Sequence, residues 1–187
     1  FYRIINYEKN KELLKYTPHE RFLDLAVTYR WAAYRNHDGM ASALVRNKEL
    51  LMWGISKDQM MKDARENTEK IFPPVMWKIQ SVLPIHIIEE EIPLFVMSNG
   101  DYTNGASVIL YKDVLRNFAK YMEYDLYILP SSIHEVIILL DNEYAKAPEE
   151  LARMVRETNR IVVDREEILS DHVYYYDREK DEIRIAK

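Results

Sequence analysis

Two serines, a histidine and a glutamate crowd together in DLYILPSSIHEVIILL, at Ser131, Ser132, His134 and Glu135. A hydroxyl, an imidazole and a carboxylate are the parts of a nucleophile, a general base and its orienting partner. Imidazole and carboxylate together can also hold a metal ion. Farther along, LSDHVYYYD sets His172 beside Asp171. Ser131, Ser132, His134, Glu135 and His172 are therefore the candidate catalytic residues, and the reaction they suggest is hydrolysis. His134, Glu135 and His172 are weak candidates for metal ligands; no metal or other cofactor is otherwise expected.

Spacing argues against the familiar versions of this chemistry. A zinc protease needs His-Glu-x-x-His on one helix face, and here Ile138 stands where the second histidine belongs. A serine hydrolase displays its nucleophile on a glycine-flanked elbow, whereas Pro130 and Ile133 flank these serines. Adjacent strand residues face opposite sides, so His134 and Glu135 converge on one ligand only across a bulge. The structural alternative is a turn whose hydroxyls bond the local backbone, and it is the preferred reading. A meeting of His134, Glu135 and His172 in space would reverse that preference.

Another polar loop, SNGDYTNGAS from 98 to 107, lacks the spacing of a phosphate loop or of a calcium loop with its closing glutamate. Asn99, Asp101 and Asn104 are read as turn residues. Asp171 and His172 are read as surface groups beside tyrosines packed on a strand.

The elements that must position these residues follow from hydrophobic period. RFLDLAVTYRWAAYRNHDGMASALVRN reads as a hairpin turning at Asp38-Gly39. A helix beginning at Ser56, which faces Gln59 in a capping box, carries Met60, Met61, Ala64 and Ile71 on one stripe. Pro73 and Pro74 end it and start a short helix from Trp77 to Val82, and the stretch after Pro84 fits either strand or loop. PLFVMSNGDYTNGASVILY is expected to form a second hairpin, followed by a helix with Val114, Leu115, Phe118, Ala119 and Met122 on one side. DLYILP and EVIILLD have apolar residues in consecutive positions, as strands buried on both faces do. A helix from Pro148 and a final hairpin in DHVYYYDREKDEIRIAK complete the chain. The fold class is α+β, a largely antiparallel sheet built from hairpins alternating with single helices. One domain, residues 1–187, is expected, with Glu89 to Glu91 at most a surface seam.

Bulk properties narrow the function. The chain has 187 residues, 48% apolar and 30% charged, with a net charge of −5 and no cysteine. This is the composition of an ordinary globular protein without disulfides or thiolate sites. A negative balance without a Lys/Arg run argues against nucleic acid. No stretch approaches the ~18 apolar residues of a membrane span, and the start is not a signal peptide. The cytoplasm is the expected setting. Because it opens on Phe1, the chain is read as the C-terminal part of a longer protein.

The segments YRIINYEKNKELLK, FLDLAVTYRW, WGIS, ENT, GASVILYKDVL, DLYILPSSIHEVIIL and LSDHVYYYD together resemble an uncharacterised bacterial family, domain of unknown function 5688, found mainly in gut Firmicutes. The order of elements is also faintly similar to domain of unknown function 1444, with a polar turn at the PSSIHE position. Neither resemblance implies a reaction. The expected function is a non-enzymatic binding or protein-interaction module for a protein or small molecule. Self-association, through a sheet edge or the tyrosine-rich hairpin, is one form it would take. The alternative is a hydrolase built on the Ser-Ser-x-His-Glu turn, with or without a metal.

Overall fold

The structure is a computed structural model that describes residues 1–36, 39–79, 94–130 and 132–187. Its internal contacts gather into two compact units, Phe1–Pro73 and Pro74–Lys187. All strand pairings in both are antiparallel, which makes the chain α+β with open sheets.

The first unit is organised by one long strand. β1 (Tyr2–Asn6), a 3-10 turn and α1 (Lys11–Leu14) precede β2 (His19–Phe22), β3 (Leu25–Asn36) and β4 (Gly39–Leu44). The first half of β3 lies between β1 and β2, and its second half pairs with β4. Central position explains why Leu25, Ala26, Thr28 and Tyr29 are all buried although only alternate ones are strongly apolar. The expected hairpin is present, but its connection is residues 37–38, and Gly39 is already the first residue of β4; Asp38 lies outside the described residues.

After β4 come α2 (Asn47–Trp53) and α3 (Lys57–Ile71). Ser56 caps α3 by accepting the Gln59 N–H at 3.1 Å. Met60 and Ala64 are buried, and Thr68 extends their stripe. Thr68 is tolerated there because its hydroxyl donates to the Ala64 carbonyl at 2.5 Å and accepts the Tyr2 N–H at 2.9 Å. A buried hydroxyl must be bonded in this way to avoid a desolvation cost.

The second unit holds β5 (Pro74–Lys78), β6 (Leu94–Asn99), α4 (Val114–Met122), β7 (Leu126–Leu129), β8 (Val136–Leu140), α5 (Pro148–Ile161), β9 (Tyr174–Asp177) and β10 (Glu182–Ile185). They form one six-stranded sheet in the order β10-β9-β7-β8-β6-β5. β7 and β8 sit at its centre, as their unbroken apolar runs require. Val136, Ile138 and Leu140 share one face with Ile128 and Phe95. On that face Phe95 meets Phe118 of α4 edge to face, with ring centroids 5.0 Å apart. Ile137 and Leu139 point to the other face with Tyr127 and Leu129, where α5 lays down Leu151 and Val155.

Two expectations are corrected. Of the helix expected from Trp77 to Val82, Ile79 alone among the described residues has helical, 3-10 geometry, because Pro74–Lys78 is the strand β5. It is the last strand of the sheet, pairing only with β6 among the described strands. Proline is accepted at the start of such an edge strand because no ladder N–H is needed there. Residues 80–82, the stretch after Pro84 and Glu89 to Glu91 lie outside the described residues. The second correction concerns the expected hairpin of residues 93–111. Leu94–Asn99 is a strand, but Gly105–Leu110 is a buried 3-10 helix. Both ladder sides of β6 are already taken, by β8 and by β5, so no position beside it remains for a returning arm.

Candidate functional site

Of the residues singled out for chemistry, Ser132 and His134 lie together at a polar corner of the second unit, where Pro130 and segments 98–107, 132–134 and 167–172 come together. Backbone does most of the joining. Ser132 bridges Ile168, the Ile133 N–H donates to the Glu167 carbonyl at 2.9 Å, and the Ser170 N–H donates to the Pro130 carbonyl at 3.0 Å. From the third segment, the Ala106 N–H reaches the Ile133 carbonyl at 3.2 Å. The Ser98 hydroxyl donates to the His134 carbonyl at 2.8 Å.

At this corner Ser132 is only 6% exposed, and its hydroxyl accepts the His134 N–H at 2.9 Å. That is the local turn bond serine uses in place of regular structure. Ser170 repeats the device, accepting the His172 N–H at 3.0 Å. Ser131 lies outside the described residues.

His134 has both ring nitrogens engaged. The Asn104 N–H donates to Nδ1 at 3.3 Å, so Nδ1 is the acceptor and the hydrogen resides on Nε2. Nε2 then donates to Glu167 Oε1 at 3.2 Å. One neutral tautomer satisfies both contacts. A general base needs a lone pair aimed at the proton it removes, and in this tautomer the available lone pair is occupied by a backbone amide. Glu167, thirty-three residues away, was not among the sequence candidates. It sits in the acidic run DREE, which gives no hint of a particular partner.

The other candidates are placed differently. Glu135 is partly buried beside His134 on the approach to β8, and His172 is exposed. Asn159 of α5 holds the neighbouring turn by donating to the Ser170 carbonyl and to Asp171 Oδ1, both at 2.8 Å. Among the described residues no three His, Asp or Glu side chains gather as a metal site would need.

Segment 98–107 behaves as turn chemistry. Asn99 Oδ1 accepts the N–H groups of Asp101 and Thr103 at 3.2 and 3.3 Å, and its amide donates to the Thr103 carbonyl at 2.9 Å. Asn104 takes the left-handed conformation with φ of 53°, which asparagine tolerates better than most residues. Gly105 is required for a different reason. A Cβ there would lie 2.1 Å from Ser98 Oγ, 2.5 Å from the His134 carbonyl oxygen and 2.7 Å from the Asn99 nitrogen.

A second feature of the same unit contains almost no reactive groups. Between α5 and the sheet is a cavity of about 170 Å³. The sheet contributes Leu94, Leu129, Ile137 and Leu139, and α5 contributes Leu151, Met154 and Val155. Among the described lining residues Tyr144, Lys146 and Thr158 are polar, and Lys146 is the one with a charge. The Lys146 ammonium pairs with Glu150 at 2.7 Å, and that hydrogen bond holds the Glu150 carboxyl below its ordinary range. Sequence reading missed this site because the stand-off of a helix from a sheet leaves no local pattern.

The tyrosines of β9 are engaged within their own unit. Tyr174 and Tyr176 are buried, and the Tyr175 hydroxyl lies 2.8 Å from carboxylate oxygens of both Asp125 and Asp141. Burial and these two acids push the Tyr175 phenol well above its usual range. No helix among the described residues is long and apolar enough to cross a membrane.

No curated protein and no solved structure matches the chain. Its near-complete correspondence is with a family model covering residues 1–178, so the polar corner and the cavity both fall within the matched region: the chain belongs to a family of unknown function, DUF5688.

Proposed function

We propose that this protein is a binding module that takes up a small molecule with an apolar body in the cavity under α5. One observation carries the reading: about 170 Å³ of space between α5 and the sheet, walled by leucine, isoleucine, valine and methionine side chains. The pocket is partly open, at Tyr144 and Met154, which are 50% and 41% exposed, and an apolar cavity of ~150 Å³ is already large enough to bind benzene. Few polar groups around a mostly apolar wall is also the usual make-up of a small-molecule site. The polar corner supports the non-enzymatic half of the reading, since Ser132, Asn104 and both nitrogens of His134 are occupied in holding turns.

The test is a titration of isotope-labelled protein with toluene, followed by amide chemical shifts. Saturable shifts confined to α5, β7, β8 and Leu94 are expected. Thr158→Phe, at an exposed lining position, should fill the cavity and abolish them while the rest of the spectrum is kept. Shifts absent from the wild-type lining, or unchanged in the Thr158 variant, would overturn the proposal.

A further inference from the structure

Resting on that reading of the cavity, we infer that its ligand is a small monocarboxylic acid, with a six-membered ring or branched aliphatic body inside and its carboxylate at Lys146. Size sets the first limit: about 170 Å³ admits a ring with one or two substituents and little more. Charge sets the second. Among the described lining residues Lys146 supplies the one ionic group, in a mostly apolar wall, and a lone ammonium matches one negative charge. A phosphate or dicarboxylate would bring a second charge for which the described lining residues offer no cation, at a high desolvation cost.

Glu150 does not close off the ammonium. It uses one of the three N–H donors that a lysine carries, at Oε1, and it also feels the positive charge of Arg153. Both partners of this pair are substantially exposed, Lys146 44% and Glu150 39% at the side chain, so the pair is weak and readily shared. The Tyr144 and Thr158 hydroxyls supply further hydrogen-bond donors among the lining residues. No covalent step is involved, and the ligand leaves as it entered.

The experiment uses the full chain and two probes of one shape, benzoate and the neutral benzamide, with toluene as a third. Benzoate is expected to bind at least tenfold more tightly than benzamide at low salt, with the advantage shrinking as salt is raised. Lys146→Met should bring the ratio close to one and leave toluene binding unchanged. Equal affinity for benzoate and benzamide, or a preference that survives Lys146→Met, would overturn the ligand class while toluene binding kept the cavity as a site. Failure of all three probes would remove the binding module and this inference together. Lining shifts that grow with protein concentration, or contacts to the lining from the chain's own residues 80–93, would assign the cavity another occupant and also overturn it.

Discussion

The polar corner and the apolar cavity lie in one unit and share the α5 region, yet they spend their residues in opposite ways. At the corner, hydroxyl, imidazole and carboxylate groups are bonded to neighbours: Ser132 accepts the His134 N–H, Nδ1 accepts from Asn104, and Nε2 donates to Glu167. Under α5 there is little chemistry but there is room. Residue type alone therefore does not make a site. What matters is bonding capacity, or space, that the fold leaves unused. This contrast predicts that corner variants lose stability and keep ligand binding, whereas cavity variants lose binding and keep most of their stability.

The largest effect is expected at Gly105. Its φ is not in the left-handed region, so the cost of a side chain there is steric rather than torsional. Gly105→Ala would drive a methyl group into Ser98 Oγ and into the backbone at His134 and Asn99, and backbone cannot rotate away. A loss of about 3 kcal/mol is expected, read from urea unfolding. A variant as stable as the wild type would mean that the three segments are not tightly locked, and the corner would regain the freedom a catalytic loop needs.

Next in size is Ser132→Ala. Removing the hydroxyl strands a partly buried His134 N–H, at a cost of about 1 to 2 kcal/mol. Toluene affinity should stay within twofold of wild type. Retained stability together with a changed affinity would couple the corner to the cavity and undo the comparison.

Glu167 gives a smaller and more discriminating test. If His134 presents a neutral Nε2–H, an amide oxygen serves as well as a carboxylate. Glu167→Gln should then cost only a few tenths of a kcal/mol, against about 1 kcal/mol for Glu167→Ala. Equal losses in both variants would show that charge, not hydrogen-bond acceptance, holds the pair, and a charged imidazole would have to be considered at the corner.

These contrasts also show which parts of the molecule were readable from sequence. β7 and β8 were legible because five consecutive apolar residues, Val136 to Leu140, leave no polar face for solvent, and central placement in a sheet is the structure that uses both faces. The Ser56 cap, the Pro148 start of α5 and the terminal hairpin were legible because their signals are local. Gly105–Leu110 was not: its Val-Ile-Leu run suits a strand, and only the occupation of both sides of β6 turns it into a 3-10 helix. β5 was hidden by Pro73 and Pro74 at its start, because proline's preference for helix starts competes with its tolerance on sheet edges. The turn role of Ser132 was anticipated from its neighbours, but its partners Asn104 and Glu167 come from distant segments. The cavity was invisible because every residue lining it would look the same if the helix packed closer.

The smallest expected effect concerns Asp181, where polar groups are spent on one another near the surface. The Tyr176 hydroxyl donates to Asp181 Oδ1 at 2.5 Å, and Arg116 bonds the other oxygen. The tyrosine bond first, and then the arginine, hold the Asp181 carboxyl below its ordinary value of 3.8. A depressed folded-state value means the unfolded chain takes up the proton first. The contribution to stability is therefore complete above 3.8 and is lost as pH falls through the lower folded value. Asp181→Asn keeps the left-handed backbone, whose φ is 54°, because asparagine accepts that conformation. The variant should thus lower the urea midpoint slightly at neutral pH, and the difference should vanish as pH is taken from about 4 toward 2. Exposure makes the effect small. A gap that persists into strong acid would show that Asp181 acts by shape and not by charge, and it would place this surface cluster with the corner, where geometry rather than ionisation does the holding.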